Sequence, residues 1–249
     1  MMIDPREILP VGIRAALAAG EKILEVYNSD DFDVSLKDDD SPLTRADLLA
    51  QKTITTIVEN AFPDIPFLGE EGGKTPFSER SAWETFWLVD PLDGTKEFVK
   101  RNGEFTVNIA LVRDGRPALG ILYVPVKDML YYASAGCGAH KVEGAAAQSA
   151  DTGIDGLMGS AARLPLDTDR TVPPVVVVAS RSHFSDDTKS FVDALKAEHG
   201  EIELINAGSA LKICLVAEGR ADVYPRFGPT MEWDVGAGQI IAEEAGCSV

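Results

Sequence analysis

The sequence predicts an α+β protein in which layers of helix and sheet alternate. Two observations carry this. After two amphipathic helices, the first half holds a series of short apolar strands joined by turns, the pattern of an antiparallel sheet. The second half alternates strand and helix, which implies sheet covered by helices. The 249 residues suffice for one large domain or two modest ones.

The elements follow in order. Asp4 to Tyr27 reads as a helix, with Pro5 in its first turn and apolar or Ala positions at helical spacing. Phe32 to Leu36 alternates as a strand does, and Lys37 to Ser41 reads as a mobile charged loop. Thr44 to Phe62 is a second amphipathic helix that buries Ile54, Ile57 and Val58, and Pro63 to Pro66 ends it. Phe67-Leu68 is a short strand running into Gly69-Glu70-Glu71-Gly72-Gly73. Trp87 to Val89 is a buried strand directly before Asp90-Pro91-Leu92-Asp93-Gly94-Thr95. Strands at Phe105–Arg113, Ala118–Val124 and Met129–Ser134 come next, the first pair joined by the hairpin signal Asp114-Gly115. From Gly144 to Pro174 the chain is rich in Ala, Gly and Asp with weak periodicity. Then come strand Val175–Ala179, helix Asp186–Glu198, strand Ile202–Ile205, helix Ser209–Ala217, strand Ala221–Tyr224 and helix Glu232–Ala245. This places an N-terminal α+β domain at 1–146, a linker at 147–173 and a C-terminal α/β domain at 174–249.

Composition narrows the functional classes. A hydrophobic share of 45% and a charged share of 25% are those of a globular protein. No apolar stretch approaches the roughly 20 residues that span a bilayer. The N-terminal segment, with Asp4 and Glu7 and no apolar core, does not read as a signal peptide. Cys137, Cys214 and Cys247 are few, odd in number and dispersed, which suits reduced thiols in the cytoplasm. The formal net charge of -17 argues against nucleic acid and anionic membranes as partners. An anionic small molecule would therefore need a cation at its site.

The acidic residues supply a place for one. Singly, each has a structural explanation: Asp47 suits the first turns of a helix, Asp93-Gly94 suits a turn, Glu70-Glu71 a solvated loop, and Asp234 a helix start. Together they are harder to dismiss. Glu70 and Asp90 each follow a short apolar strand, so both carboxylates emerge at strand ends. Asp90 and Asp93 flank Pro91-Leu92, whose stiff turn can aim the Leu92 carbonyl alongside the two side chains. Carboxylates plus a carbonyl form an oxygen-only set suited to Mg²⁺, Mn²⁺ or Ca²⁺. His140, His183, His199 and the cysteines lack zinc spacing. Gly94-Thr95 then opens a short helix whose free N–H groups can cradle a phosphate. Acid ligands beside a phosphate cradle point to phosphate-ester chemistry with a metal-activated water. Asp234, in the second half, is the further carboxylate that a two-metal site would need. The 12-residue EF-hand periodicity and the Walker loop are both absent from the sequence.

These residues resemble a known family. Gly69-Glu70-Glu71, WLVDPLDGTKEF (87–98) and EWDVGAGQIIAEEAG (232–246) are similar to the inositol monophosphatase superfamily of Mg²⁺-dependent, lithium-sensitive phosphatases. SPLTRAD (41–47), KRNGEFTVNIALV (100–112), SRSH (180–183), GSALKICLVAEGRADVYPR (208–226) and YPRFGPTMEWD (224–234) narrow the resemblance to its CysQ-type 3'(2'),5'-bisphosphate nucleotidase branch. The resemblance covers about residues 5 to 249. It implies a layered α-β-α-β-α sandwich of the sugar-phosphatase type. It also implies that Glu70, Asp90 and the Leu92 carbonyl hold one Mg²⁺, and that Asp90, Asp93 and Asp234 hold a second. A third, weaker ion lies near Glu70 in relatives. Mn²⁺ is expected to substitute, and Li⁺ and Ca²⁺ to inhibit. Asp47 and Thr95 would orient and deprotonate the attacking water, with Glu70 at its side. The Gly94 and Thr95 backbone would hold the scissile phosphate. His183, Ser209, Lys212 and Arg226 would contact the nucleotide and its second phosphate, with Asp234 facing the substrate.

The implied reaction is hydrolysis of adenosine 3',5'-bisphosphate to AMP and phosphate, in a cytoplasmic monomer or homodimer; peripheral association with the inner membrane face is left open. The metal site also has support from the residues themselves, whereas the adenine rests on the resemblance. Ser209 could equally be a helix N-cap, Lys212 a solvated residue and His183 a polar turn residue. Arg226 suits a phosphate clamp. Within the class, inositol monophosphate or another sugar phosphate is the alternative substrate. A non-catalytic sensor would have lost Asp47, Thr95 or Glu70, and all three are present. Two departures stand out: Gly69 replaces a serine frequent in the branch, and WDVGAG replaces a helix start that commonly carries Thr and Ala. Relatives also continue past the position of Val249 through a strand or two, so either an exposed sheet edge or a trimmed sequence is expected there.

Overall fold

The computed structural model describes residues 4–29, 34–36, 42–73, 75–166, 174–180 and 185–249. The 37–41 loop, the first part of the 32–36 strand and His183 lie outside these residues. In chain order the elements are α1 (Pro5–Tyr27), β1 (Ser35–Leu36), β2 (Pro42–Leu43), α2 (Arg45–Ala61), β3 (Phe67–Gly69), α3 (Phe77–Arg80), β4 (Thr85–Asp93), α4 (Thr95–Val99), β5 (Thr106–Arg113), β6 (Arg116–Val124), β7 (Met129–Ser134), β8 (Gly138–Glu143), α5 (Ala145–Gly159), β9 (Ala162–Arg163), β10 (Val175–Ala179), α6 (Asp186–His199), β11 (Ile202–Asn206), α7 (Leu211–Ala217) and α8 (Glu232–Glu244).

They stack as five layers. Helices α1 and α2 pack on each other and on one face of a seven-stranded sheet ordered β3 to β9. Helix α8 covers the opposite face and packs on α7. Helix α7 meets β10, which pairs in parallel with β11, and α6 lies against β11. The large sheet is antiparallel except where β3 runs parallel to β4. Alternation along the strands divides its residues between two cores. Trp87, Val89, Ile109, Leu111 and Ile121 point to the α1–α2 side. Leu88, Ala110, Leu122 and Ala133 point to α7 and α8.

Several expectations need correction. Strand β4 runs to Asp93 rather than ending at Val89, so the acidic motif is part of the sheet. The weakly periodic stretch after Gly144 contains a helix, α5, broken at Gly153 with φ of +72°, and the strand β9. Strand β8, which precedes it, also went unpredicted. Its alternation is hidden because Lys141 is buried, balanced by Glu143 and Glu218 at 2.9 Å each. The expected strand at 221–224 is a single parallel bridge, Val177 to Val223. Pro225 directly behind it has no N–H to extend a ladder. The Asp114-Gly115 turn has positive φ at both residues (+51° and +73°), as a tight hairpin between twisted strands requires.

One close approach sets the position of α8. A Cβ on Gly120 of β6 would stand 2.4 Å from the Ala237 carbonyl oxygen and 2.6 Å from Ile240 Cγ2. The helix that carries Asp234 therefore sits as near the sheet as a glycine allows. Gly120→Ala should push α8 outward at a cost of about 1–3 kcal/mol, a fall in Tm of roughly 2–12 °C for a chain of this size. Calorimetric melting checks this, and an unchanged Tm would show that α8 has room to spare.

Candidate active site

Strand β4 delivers two carboxylates because it is bulged. Asp90 pairs with Asn108 and Asp93 with Thr106, with the register shifting between them. Pro91 falls in the bulge, where its missing N–H breaks no ladder bond. The Leu92 N–H donates to Asp90 Oδ1 at 3.0 Å. Gly94 follows with φ of +92° and caps α4. That backbone turn favours glycine, and a Cβ there would also stand 3.3 Å from Ser209 Cβ.

Asp47 arrives from α2. It closes a capping box in which its Oδ2 accepts from the Thr44 N–H at 2.8 Å and the Thr44 hydroxyl at 2.5 Å. Its other oxygen, Oδ1, lies 3.3 Å from the Thr95 hydroxyl, which also lies 3.4 Å from the Leu92 carbonyl. Asp47 is only 1% exposed. Glu70 follows β3, and its N–H donates to Val89 O at 3.1 Å, which brings it beside Asp90.

Burial and like charge dominate the electrostatics of the carboxylates. Asp90 is 1% exposed, and burial pushes its carboxyl well above the usual carboxylate range. The charges of Glu70, Asp93 and Asp234 push it the same way, which places these four groups within electrostatic reach of one another. Burial raises Asp93 too, although the Ser209 hydroxyl, the Ala210 N–H and the Lys212 charge oppose the rise. Burial conversely lowers Lys212, with Asp93 working against it.

Among the described residues, no three His, Cys, Asp or Glu side chains converge on one point as a finished cage. Asp93 Oδ2 accepts from Ser209 Oγ at 2.6 Å and Ala210 N at 2.7 Å. Asp234 Oδ2 accepts from Thr230 Oγ1 at 2.8 Å and Met231 N at 3.0 Å. Each carboxylate keeps its second oxygen for another partner. Mg²⁺ takes few protein ligands and keeps several waters, so this oxygen-rich, mutually repelling set fits it.

A cavity of about 300 Å³ opens between the two sheets' helices, lined by Asp93, Gly94, Thr95, Lys212, Arg226 and Asp234. The structure thus gathers every described candidate residue except Asp47, Glu70, Asp90 and Leu92 around one cavity, and those four adjoin it through Thr95 and Asp93. Ser209 does not cap α7, the alternative to a nucleotide contact; Ala210 stands at that position. Ser209 has φ of +55° and stands ahead of α7, with its hydroxyl on Asp93. Three residues on β5 and the preceding loop escaped the sequence reading: Glu104, whose Oε2 accepts from Gly208 N at 3.0 Å, and the buried pair Thr106 and Asn108. Their signal was two polar side chains within the otherwise apolar strand FTVNIALV.

A layered sandwich with a carboxylate cluster at a bulged strand end defines a class, and the comparisons agree with it. The chain belongs to the inositol monophosphatase family, whose profile matches residues 4–249. Within that family it is 44% identical, over 93% of its own length and 85% of the relative's, to the 3'(2'),5'-bisphosphate nucleotidase CysQ of Salmonella typhimurium. It is 43% identical, with the same coverage, to the protein of that name from Escherichia coli K12. Among solved structures, CysQ from Bacteroides thetaiotaomicron superposes with a TM-score of 0.84 at 50% identity, covering 95% of this chain and 85% of that one. The inositol monophosphatase of Anabaena superposes at 0.71 with 26% identity, over 97% and 82% of the two chains.

The raised Asp90 carboxyl has a pH consequence. Its folded-state pKa lies above its unfolded value of about 3.9. Between the two values the native state binds more protons, so stability falls as pH rises through that window and stays low above it. A cation at the site should remove this penalty. Added Mg²⁺ should therefore raise Tm more at about pH 8 than at about pH 5, as read by melting in chelator and in saturating Mg²⁺. An equal shift at both pH values would contradict the assignment.

Proposed function

We propose that the protein hydrolyses the 3'-phosphate of adenosine 3',5'-bisphosphate, giving AMP and phosphate. The observation that carries this reading is that one cavity holds both kinds of charge. It is lined by the carboxylates Asp93 and Asp234 and by the basic side chains Lys212 and Arg226. The carboxylates suit a phosphate only together with cations, whereas the basic side chains suit a phosphate directly. A small molecule with two phosphates can use both. The relatives named as bisphosphate nucleotidases support the same substrate class.

Glu70, Asp90, Asp93, Asp234 and the Leu92 carbonyl are the residues that would hold Mg²⁺, at two positions. When bound, Mg²⁺ neutralises the phosphate and makes a water more acidic. The remaining work belongs to the chain. Thr95 lies against Asp47 Oδ1, so a water proton can pass to Asp47 through the threonine hydroxyl. Thr44 holds Asp47 in position through both its N–H and its hydroxyl. The N–H groups of Gly94 and Thr95 would receive the phosphate. Lys212 is held by the Ser209 carbonyl at 2.5 Å and the Tyr224 ring at 5.4 Å, which keeps its ammonium at the cavity wall. His183 is assigned to the nucleotide by the resemblance.

The site draws on both halves of the chain, 1–146 for Asp47, Glu70, Asp90, Asp93 and Thr95, and 174–249 for Lys212, Arg226 and Asp234. A cytoplasmic location goes with this reading; among the described residues no helix is long and apolar enough to cross a membrane.

Two measurements test the proposal. Asp93→Asn and Asp234→Asn should each lower kcat by about 10²-fold or more, on the order of the 2.7–4 kcal/mol that loss of one charge-stabilising group costs, while the fold is retained by circular dichroism. Phosphate release should be faster from adenosine 3',5'-bisphosphate than from inositol 1-phosphate or fructose 1,6-bisphosphate, and Lys212→Met should narrow that preference. Equal rates on inositol 1-phosphate would replace the nucleotide by a sugar phosphate.

A further inference from the structure

Asp93 is held by a chain of polar side chains that reaches back into the sheet. Ser209 Oγ lies 2.6 Å from Asp93 Oδ2 and 2.6 Å from Thr106 Oγ1. Thr106 Oγ1 lies 2.7 Å from the Asn108 amide oxygen. Thr106 is fully buried and Asn108 is 1% exposed, so this chain lies out of reach of bulk solvent. Each hydroxyl has one proton to donate, and that limit decides the direction of every bond.

A cation on Asp93 Oδ1 goes with the carboxylate form, which can only accept, so Ser209 spends its proton on Oδ2. Ser209 must then accept at its other contact, and Thr106 must donate to it. Thr106 has no proton left for Asn108 and needs a donor from that side. As placed, the amide presents its oxygen to Thr106, while its nitrogen is buried without a hydrogen-bond partner among the described residues. A half-turn of the amide keeps its shape and resolves both difficulties, because Nδ2 then donates to Thr106 and the partnerless position passes to the carbonyl oxygen, which tolerates it better.

We propose that Asn108, Thr106 and Ser209 form a one-way donor relay, Asn108 Nδ2–H to Thr106 Oγ1–H to Ser209 Oγ–H to Asp93 Oδ2, that positions Asp93 for a divalent cation. The relay occupies one oxygen of Asp93 and leaves Oδ1 for the cation. The bulge of β4 makes it possible, because it sets Asp93 opposite Thr106 and Asp90 opposite Asn108 on the neighbouring strand. The left-handed backbone of Ser209, with φ of +55°, turns its hydroxyl into line. Thr106 and Asn108 are positioning residues that act through Ser209. The inference rests on the reading of Asp93 as a cation ligand.

The test measures Mg²⁺ binding by titration calorimetry alongside the Mg²⁺ dependence of turnover. Thr106→Val removes the middle hydroxyl at constant shape, and Ser209→Gly removes the last one while suiting the positive φ. Each should weaken Mg²⁺ binding about 10- to 100-fold, the effect typical of losing a group that orients a ligand. Thr106→Ser should recover most of that loss. Asn108→Asp has the same shape but accepts where a donor is needed, so it should weaken Mg²⁺ binding as Thr106→Val does. Because the links act in series, the Thr106→Val, Ser209→Gly double variant should lose little more than either single one. Wild-type Mg²⁺ affinity in folded Thr106→Val or Ser209→Gly, or fully additive losses, would overturn the relay while leaving the role of Asp93 intact. Normal Mg²⁺ binding in Asp93→Asn would overturn both.

Discussion

Mutual repulsion among buried carboxylates is the constraint around which this structure is arranged. Glu70, Asp90, Asp93 and Asp234 come from the turn behind β3, from strand β4 and from the distant helix α8, and burial together with their like charges pushes the Asp90 carboxyl well above the usual carboxylate range. Such a cluster cannot be stabilised by its own packing. Two kinds of compensation surround it. Hydrogen-bond donors fasten single oxygens of Asp93 and Asp234, and the oxygens that remain suit a hard divalent cation. The negative charge that would otherwise repel a phosphate is, on the proposed reading, what attracts the ions that bind it.

The fold supplies the rigidity that this repulsion demands. Asp90 and Asp93 are fixed by the β4–β5 ladder on either side of a bulge, and Asp47 by the capping box of α2. Asp234 stands in the first turn of α8, whose distance from the sheet is set by the contact between Gly120 and the Ala237 carbonyl. In the same cavity, the buried Lys212 and the Arg226 side chain place positive charge beside the carboxylates, Lys212 within electrostatic reach of Asp93. Helices α7 and α8 lie between the two sheets, so a cavity bordered by both receives residues from both halves of the chain.

Much of the architecture was legible because hydrophobic periodicity reports burial directly. The limits of α1, α2 and α6, and of strands β5 to β7, follow the apolar spacing closely. Where the reading failed, another force outweighed periodicity. Strand β8 buries a lysine that is paired with two glutamates, so its pattern lacks the expected apolar residue. Helix α5 is built from Ala and Gly positions with few buried side chains and is broken at Gly153. The segment at 221–224 has the apolar residues of a strand, yet makes only one bridge before Pro225 interrupts it.

By itself the sequence determined the kinds of residue available for chemistry and their local settings: acids at strand ends, a glycine turn before a short helix, Lys and Arg in the second half. These are properties of neighbouring residues, and neighbours in sequence share a turn or a strand whatever the rest of the chain does. Only the tertiary structure decided which distant residues meet. It drew Ser209 off the start of α7 and onto Asp93, and it set Thr106 and Asn108 beside the acids through the register of β4 and β5. The physical reason is that a hydrogen bond depends on placement to within a few tenths of an ångström. Placement across more than a hundred residues is fixed by how the layers pack, which no local pattern records.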